Sequence, residues 1–354
     1  MINVLVTGGA GFIGANFVHF LRRQRPDWRI INLDLLTYAG NPDNLAPLEG
    51  DPGHILIKGD VADADLAAAL FARHRFSRVV HFAEETHVDR SILETGVFVR
   101  TNVLGTFTLL EAARQAWKDL AAEAEPRFLH ISTDEVYGSL GTHAPAATED
   151  SPYAPNSPYA ASKAGADFLV RAYFRTYRLP VLITNCSNNY GPYQFPEKLI
   201  PFCLRQALAQ KPIPIYGRGG NLRDWLFVED HCRALLTVLE RGQVGETYNI
   251  GGNQEKTNLE LVGLLLSLLK EQRPELGDLN RLITFVPDRP GHDWRYALNC
   301  KKIETALGWR AQVSLKEGLR HTIAWYLAHP EWLERVCSGA YRQFLEQQYG
   351  AVVA

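Results

Sequence analysis

Thr133, Asp134 and Glu135 follow an apolar run and precede Val136, Tyr137 and Gly138. Two carboxyl groups and a hydroxyl therefore stand together at the end of a strand, where an open nucleotide-binding sheet places its ligand. Paired carboxyls beside a hydroxyl suit the removal of water from a substrate, one group taking a proton while the other gives one. Twenty-four residues beyond Glu135, Tyr159 and Lys163 stand four apart in a helical pattern, so both side chains project from one face. A phenol with an ammonium neighbour is a candidate base. Together the five residues predict a redox enzyme whose hydride transfer is coupled to acid and base steps.

The elements that must position them are legible as alternating patterns. Short apolar runs at 3–6, 29–33, 54–57, 78–82, 128–132 and 181–184 alternate with amphipathic stretches at 12–23, 64–73, 97–117 and 158–177. This is the texture of parallel strands joined by crossover helices. Ser157 as a cap and Pro158 at the first helical position start the last of those helices, which puts Tyr159 in its first turn. After residue 185 the chain becomes rich in proline and glycine, at 191–196, 212–214, 217–220 and 287–291. The predicted fold class is α/β, a doubly wound (Rossmann) parallel sheet with a smaller C-terminal α/β substrate-binding domain. The nucleotide-binding domain spans 1–185, with segments around 222–250, namely 225–228 and 247–250, returning to its sheet. Residues 186–354 mainly form the substrate domain.

Length and charge bound the rest. A chain of 354 residues accommodates about two domains. With 37 basic and 39 acidic residues the net charge is -2, which gives no general attraction to nucleic acid or to an anionic membrane. Cys186, Cys203, Cys232, Cys300 and Cys337 are widely spaced and odd in number, so they read as reduced interior thiols. His81 and His87 lack a carboxylate or cysteine partner at ligand spacing, and no metal is expected. The first seven residues already read as a strand, leaving no room for a secretion signal, and no apolar run reaches ~18 residues. The expected location is the cytoplasm.

Gly8, Gly11 and Gly14 lie three apart between the first strand and the first helix. Glycines there allow a tight turn and let backbone amides approach a pyrophosphate at a helix N-terminus. Asp34, twenty residues beyond Gly14 at the end of the second strand, would accept hydrogen bonds from an adenosine ribose and repel a 2′-phosphate. NAD is thus favoured over NADP. Asp60 either reaches the adenine or caps a helix, and Phe82 and Ala83 end the fourth strand at the ligand edge.

These blocks recur in order with 86–91 (Thr86 to Ser91), 185–201, 212–217, Arg223 with Asp224 and Trp225, and 288–293. On them, over nearly its whole length, the chain resembles the extended short-chain dehydrogenase/reductase superfamily and, within it, the dTDP-glucose 4,6-dehydratases. The resemblance implies Tyr159 as the base at sugar C4, activated as a phenolate by Lys163 and the oxidised nicotinamide, with Thr133 orienting the oxygen. It implies Glu135 as the base at C5 and protonated Asp134 as the acid assisting loss of the C6 hydroxyl. It extends the cofactor set to Phe12, Ile13, Thr37, Val61, Thr101 and Asn188. Substrate contacts implied are Thr86, His87, Thr133, Asn189, Lys198, Leu199, Pro214, Tyr216, Arg223, Asn258, Arg289, His292 and Tyr296. Arg223 is equally open to a surface ion pair with Asp224. A small-molecule sugar nucleotide is the implied partner, with a homodimer formed through the helices at 97–117 and 158–177, whose apolar faces are equally open to satisfaction within one chain.

Alternative activities are those of another NAD-dependent sugar-nucleotide dehydratase, a decarboxylase or an epimerase. Epimerases of the superfamily generally carry small or hydroxyl residues at the two acidic positions, and decarboxylases and GDP-mannose dehydratases have serine in place of the aspartate. The Asp134 and Glu135 pair discriminates. One position departs from the pattern: Glu84 stands where the family usually has a small residue, placing an extra carboxylate at the ligand edge that weakens cofactor binding or calls for a local cation.

Overall fold

The computed structural model describes residues 2–119, 124–288 and 291–337. Along them run β1 (Asn3–Thr7), β2 (Arg29–Asp34), β3 (His54–Lys58), β4 (Arg78–His81), β5 (Arg127–Thr133), β6 (Val181–Cys186), β7 (Asn188–Tyr190), β8 (Ile213–Tyr216), β9 (Leu222–Phe227), β10 (Thr247–Ile250), β11 (Glu255–Thr257) and β12 (Ile283–Val286). Seven of these form a parallel sheet in the order β10-β6-β5-β4-β1-β2-β3. Strand order reverses between β1 and β4, and such a switch point opens a crevice at the strands' carboxyl ends. The register aligns Thr7 with both Leu33 and His81, and Thr133 with Cys186, so the candidate residues collect along one edge.

Burial on both faces explains the near-continuous apolar strands. In β1, Val4 and Val6 pack with Phe17 and Leu21 on one face, while Leu5 packs with Ile31, Val79 and Leu109 on the other. Strand 247–250 joins this sheet as β10. The segment 225–228, expected to return to it as well, instead belongs to β9, which pairs with β7 and β11 in a three-stranded sheet, while β8 pairs with β12. Its residues divide between two cores: Trp225 and Phe227 sit in a second core with Ile200, Leu261, Leu265 and Leu319, while Leu226 and Val228 pack into the core beside the large sheet.

The helix Pro158–Tyr177 begins as its sequence dictates, with the Ser157 hydroxyl accepting from Ala160 N and Pro158 in the first turn. The stretch 97–117 is not one regular helix. It comprises α-helical Thr95–Phe98, a π-helical segment Val99–Gly105 and α-helical Thr106–Ala116. The wider turn accompanies specific inward contacts. Thr106 Oγ1 donates to Asn102 O and lies 3.0 Å from His81 Nε2, while Gly105 lies against Val61. π-turns inside helices often mark functional sites. All five cysteines are buried free thiols. Among the described residues no helix is long and apolar enough to cross a membrane, and no group of three or more residues is arranged to hold a metal ion.

Candidate active site

A single cleft runs along the carboxyl edge of the sheet, and its near wall is backbone. Gly8 has φ +70, a conformation that side-chain-bearing residues rarely adopt, and a Cβ there would stand 2.6 Å from Ala83 N. A Cβ on Gly14 would stand 2.2 Å from Gly8 O. The helix Phe12–Gln24 starts at Gly11 with no side-chain cap, so its first amides face the cleft without an internal partner. That is a cradle shaped for a pyrophosphate. Asp34 is buried and accepts from Ala10 N at 2.9 Å and Leu36 N at 2.8 Å, and burial raises its pKa. Asp60 accepts from Ala62 N and pairs with Arg100 at 2.7 Å, and the adjacent helix Ala64–His74 is capped by Asp63 instead.

Around this cradle the structure gathers Gly8, Gly11, Phe12, Ile13, Gly14, Asp34, Thr37, Asp60, Val61, Phe82, Ala83, Thr101 and Asn188, with Thr133, Asp134, Glu135, Tyr159, Thr86, Asn189 and Lys198 further along the same walls. Asn188 and Asn189 each bury a side-chain oxygen without a partner among the described residues, both on the cleft wall, as a site awaiting a donor would. Lys163 lies beneath the floor, 2% exposed, donating to Ile131 O at 2.7 Å.

Thr133 ends β5, and Asp134–Tyr137 form a 3₁₀ turn whose first free amide, that of Glu135, is accepted by Thr133 Oγ1 at 3.2 Å. The same hydroxyl donates to Asp134 Oδ1 at 3.4 Å and lies near enough to the Tyr159 phenol to favour its ionised form. The two carboxyls differ sharply. Asp134 is 4% exposed; burial first, then the charge of Glu135, hold its pKa well above the ordinary value, with Arg223 opposing. Burial thus favours the protonated, proton-donating form of Asp134. Glu135 is only partly buried and reaches the Tyr296 hydroxyl at 3.5 Å.

Burial raises the Tyr159 pKa well above the ordinary value, reinforced by Glu84 and Glu135, so the expected activation calls on the nicotinamide charge as well as on Lys163. Part of the reason is that Lys163 faces Glu84, 2.6 Å away, the local cation foreseen for that carboxylate.

The remaining residues lie off this cleft wall. His87 caps the helix Val88–Leu93 and stands 3.9 Å from Glu197, and Leu199 opens the helix Leu199–Leu208. Lys198 Nζ donates to Thr86 O at 3.2 Å. Arg223 does not pair with Asp224, whose oxygens accept from Gly252 N and Gln254 N. Its guanidinium instead donates to Asp293 O at 2.9 Å and stacks 4.3 Å over the Tyr296 ring. Tyr216, beside Pro214 in β8, packs edge-on to His292, which pairs with Asp288 at 2.6 Å. Asn258 begins the helix Asn258–Gln272, and Arg289 lies outside the described residues.

Sequence reasoning missed several side chains that shape the site. Asn102 accepts from Glu85 N at 2.8 Å and donates to Glu85 O at 3.1 Å and Ser162 Oγ at 2.9 Å, clamping the loop after β4 to the Tyr159 helix. Asp167 is fully buried, accepts from Ser132 Oγ at 2.8 Å and Tyr153 at 2.9 Å, and burial pushes its pKa up to about 6. Its position four residues after Lys163 was the available signal. Glu85 is half-buried, and desolvation first, then Glu197, Glu84 and Glu94 against the opposing Arg90, push it up to about 7.

The family model described as GDP-mannose 4,6 dehydratase matches residues 5–322. The dTDP-glucose 4,6-dehydratase of Xanthomonas campestris pv. campestris (strain B100) is 53% identical over 346 residues, covering 97% of this chain and 98% of that protein. dTDP-glucose 4,6-dehydratase 1 of Escherichia coli (strain K12) is 49% identical, with 98% and 99% covered. Among solved structures, DesIV, the dTDP-glucose 4,6-dehydratase from Streptomyces venezuelae with NAD bound, superimposes with a TM-score of 0.87 at 49% identity, covering 95% of this chain and all of that one.

Proposed function

The chain belongs to the GDP-mannose 4,6 dehydratase family and, within it, groups with the dTDP-glucose 4,6-dehydratases, and from that membership and the site's geometry we propose that it converts dTDP-glucose to dTDP-4-keto-6-deoxyglucose and water. The observation that carries this reading is the unequal pair after β5: a buried Asp134, whose proton burial holds more tightly than usual, and a partly buried Glu135, lining one cleft with Thr133 and Tyr159. An acid and a base in contact with one ring are what an elimination requires.

The glycine cradle and Asp34 fit NAD, which when bound supplies the hydride acceptor for C4 and the hydride donor for C6. Tyr159 takes the C4 hydroxyl proton while Thr133, beside the phenol, orients that oxygen. The resulting ketone acidifies C5. Glu135 removes the C5 proton, and Asp134 gives its proton to the C6 hydroxyl, which leaves as water. Glu135 then returns its proton to C5, and the proton gained by Tyr159 and that lost by Asp134 balance through solvent.

Phe12, Ile13, Thr37, Asp60, Val61, Phe82, Ala83, Thr101 and Asn188 complete the cofactor site. Thr86, His87, Asn189, Lys198, Leu199 and Arg223 meet the sugar and diphosphate, and Pro214, Tyr216, Asn258, Arg289, His292 and Tyr296 the base end. Residues 1–185 with β10 act as the cofactor domain and the rest mainly as the substrate domain. Leu104 and Phe107, exposed beside a groove that also includes Val99, Val103 and Leu169, fit a homodimer packed through the helices at 95–116 and 158–177. The site of action is the cytoplasm.

The deciding experiment offers dTDP-, UDP-, CDP- and GDP-glucose to the enzyme and weighs the products. Loss of one water from dTDP-glucose, fastest among the four, is expected. Isomerisation without mass change would replace this reading by an epimerase.

A further inference from the structure

Glu84 has no part in the reaction as proposed, yet it touches the machinery. Its carboxylate stands 2.6 Å from Lys163 Nζ, and the two side chains are only 19% and 3% exposed. The loop that carries it is fixed from behind. Asn102 holds both backbone groups of Glu85 and reaches Ser162, the residue preceding Lys163 in its helix. A carboxylate held against a buried ammonium by a clamp anchored in the same helix is a built arrangement. It is not a chance surface pair, which would contribute little.

We propose that Glu84 is a positioning residue that acts on Tyr159 through Lys163: it pins the ammonium beneath the cleft floor and sets the pH at which the phenol gives up its proton. The inference rests on the assignment of Tyr159 as the C4 base. An ammonium beside a phenol favours phenolate, whereas one already matched at contact distance by a carboxylate exerts a much weaker net field. Glu84 thus trades some of the base's readiness for a fixed lysine.

The other groups facing this pair come from every neighbouring element. Glu135 and Asp134 approach from the turn after β5, Cys186 from the end of β6, Asp167 from the next turn of the same helix, and His81 and His130 from the strands below. Burial lowers the pKa of both histidines and raises that of Asp134, disfavouring charge on all three, and Glu85 faces Glu84 from the same loop. Among the described residues, Glu84 is the carboxylate in contact with Lys163 Nζ.

The test follows Tyr159 directly, in the cofactor-loaded enzyme. Ultraviolet difference titration reports phenolate formation, with Tyr159→Phe as the blank, alongside the pH profile of kcat/KM. In Glu84→Gln, which keeps an acceptor oxygen but no charge, the Tyr159 inflection is expected to move to lower pH by roughly one unit in both readouts. Glu84→Ser, the smaller side chain, is expected to move it the same way if the glutamine is poorly accommodated. An inflection that stays in place in both variants, with activity scaled equally at every pH, would reduce Glu84 to packing and overturn the inference while leaving the base assignment standing. Full turnover by Tyr159→Phe would remove the base assignment and this inference with it.

Discussion

The two walls of the cleft are built by different means. The cofactor wall is made of glycine backbone and strand ends within one sheet, whose register fixes distant residues such as Gly8 and Ala83 against each other. The opposite side is assembled from side chains on separate loops, and Tyr296 reaches Glu135 across 161 positions of chain. Chemistry sits on the first, where geometry cannot relax, and recognition on the second, where contacts are many and individually replaceable. Substitutions on the first wall should abolish a step, and those on the second should tune affinity.

The sharpest way to break that contrast is at the acid and base residues. Tyr159→Phe is expected to lower kcat by roughly 10²–10⁴-fold with bound cofactor retained, since general-base removal costs about that much. Glu135→Gln should lose a similar factor in product formation yet still oxidise the sugar at C4, so reduced cofactor accumulates, read by its absorbance after mixing with dTDP-glucose. Dehydration by Glu135→Gln at the wild-type rate would remove Glu135 from its role.

Beneath the same wall, Asp167 allows a test of pH dependence. Burial raises its pKa from the ordinary carboxyl value to about 6 in the folded protein, so its contribution to stability is full below pH ~4 and is lost as pH rises through ~6. The span corresponds to about 3 kcal/mol. The stability of wild type relative to Asp167→Asn should therefore decline by about that amount between those limits, measured as urea midpoints along a pH series. A constant difference would mean that the carboxyl is already charged on folding.

At the cradle, Gly8→Ala forces a Cβ against Ala83 N in a left-handed conformation. A cost of ~1–3 kcal/mol is expected, together with loss of copurifying cofactor. Unchanged cofactor content would show that the turn can move, and that this wall is less rigid than argued.

Legibility in the sequence follows the same division. The glycine triplet, Asp34 and the Ser157–Pro158 helix start were readable because turn, cap and strand-end chemistry is local. The Asp134 and Glu135 pair was readable as a pair, but its inequality was not: it rests on tertiary burial of Asp134 and on the charges of Arg223 and Asp224, almost ninety residues away. The strand at 225–228 was misplaced because an apolar run says that it is buried without saying in which sheet. The π-helical turn at 99–105 escaped because its cause, Asn102 and Thr106 reaching other elements, is tertiary. Glu84 is visible in the sequence as a departure, but its contact with Lys163 is not, because that contact needs the loop after β4 to fold back on the helix.

The smallest effect belongs to the recognition side, and it is what separates the two walls most cleanly. Lys198 sits on the cleft wall away from the acid–base residues, its ammonium held by Thr86 O at 3.2 Å. A lysine that meets a diphosphate contributes binding in both ground and transition states, so removing it should raise KM without changing kcat. Lys198→Met is expected to raise KM for dTDP-glucose about tenfold, with kcat within about a factor of three of wild type. The split is decisive in either direction. A fall in kcat as large as that of Glu135→Gln would mean that Lys198 acts on the reacting sugar, and the division between a chemical and a recognising wall would have to be redrawn along the loop at 194–198.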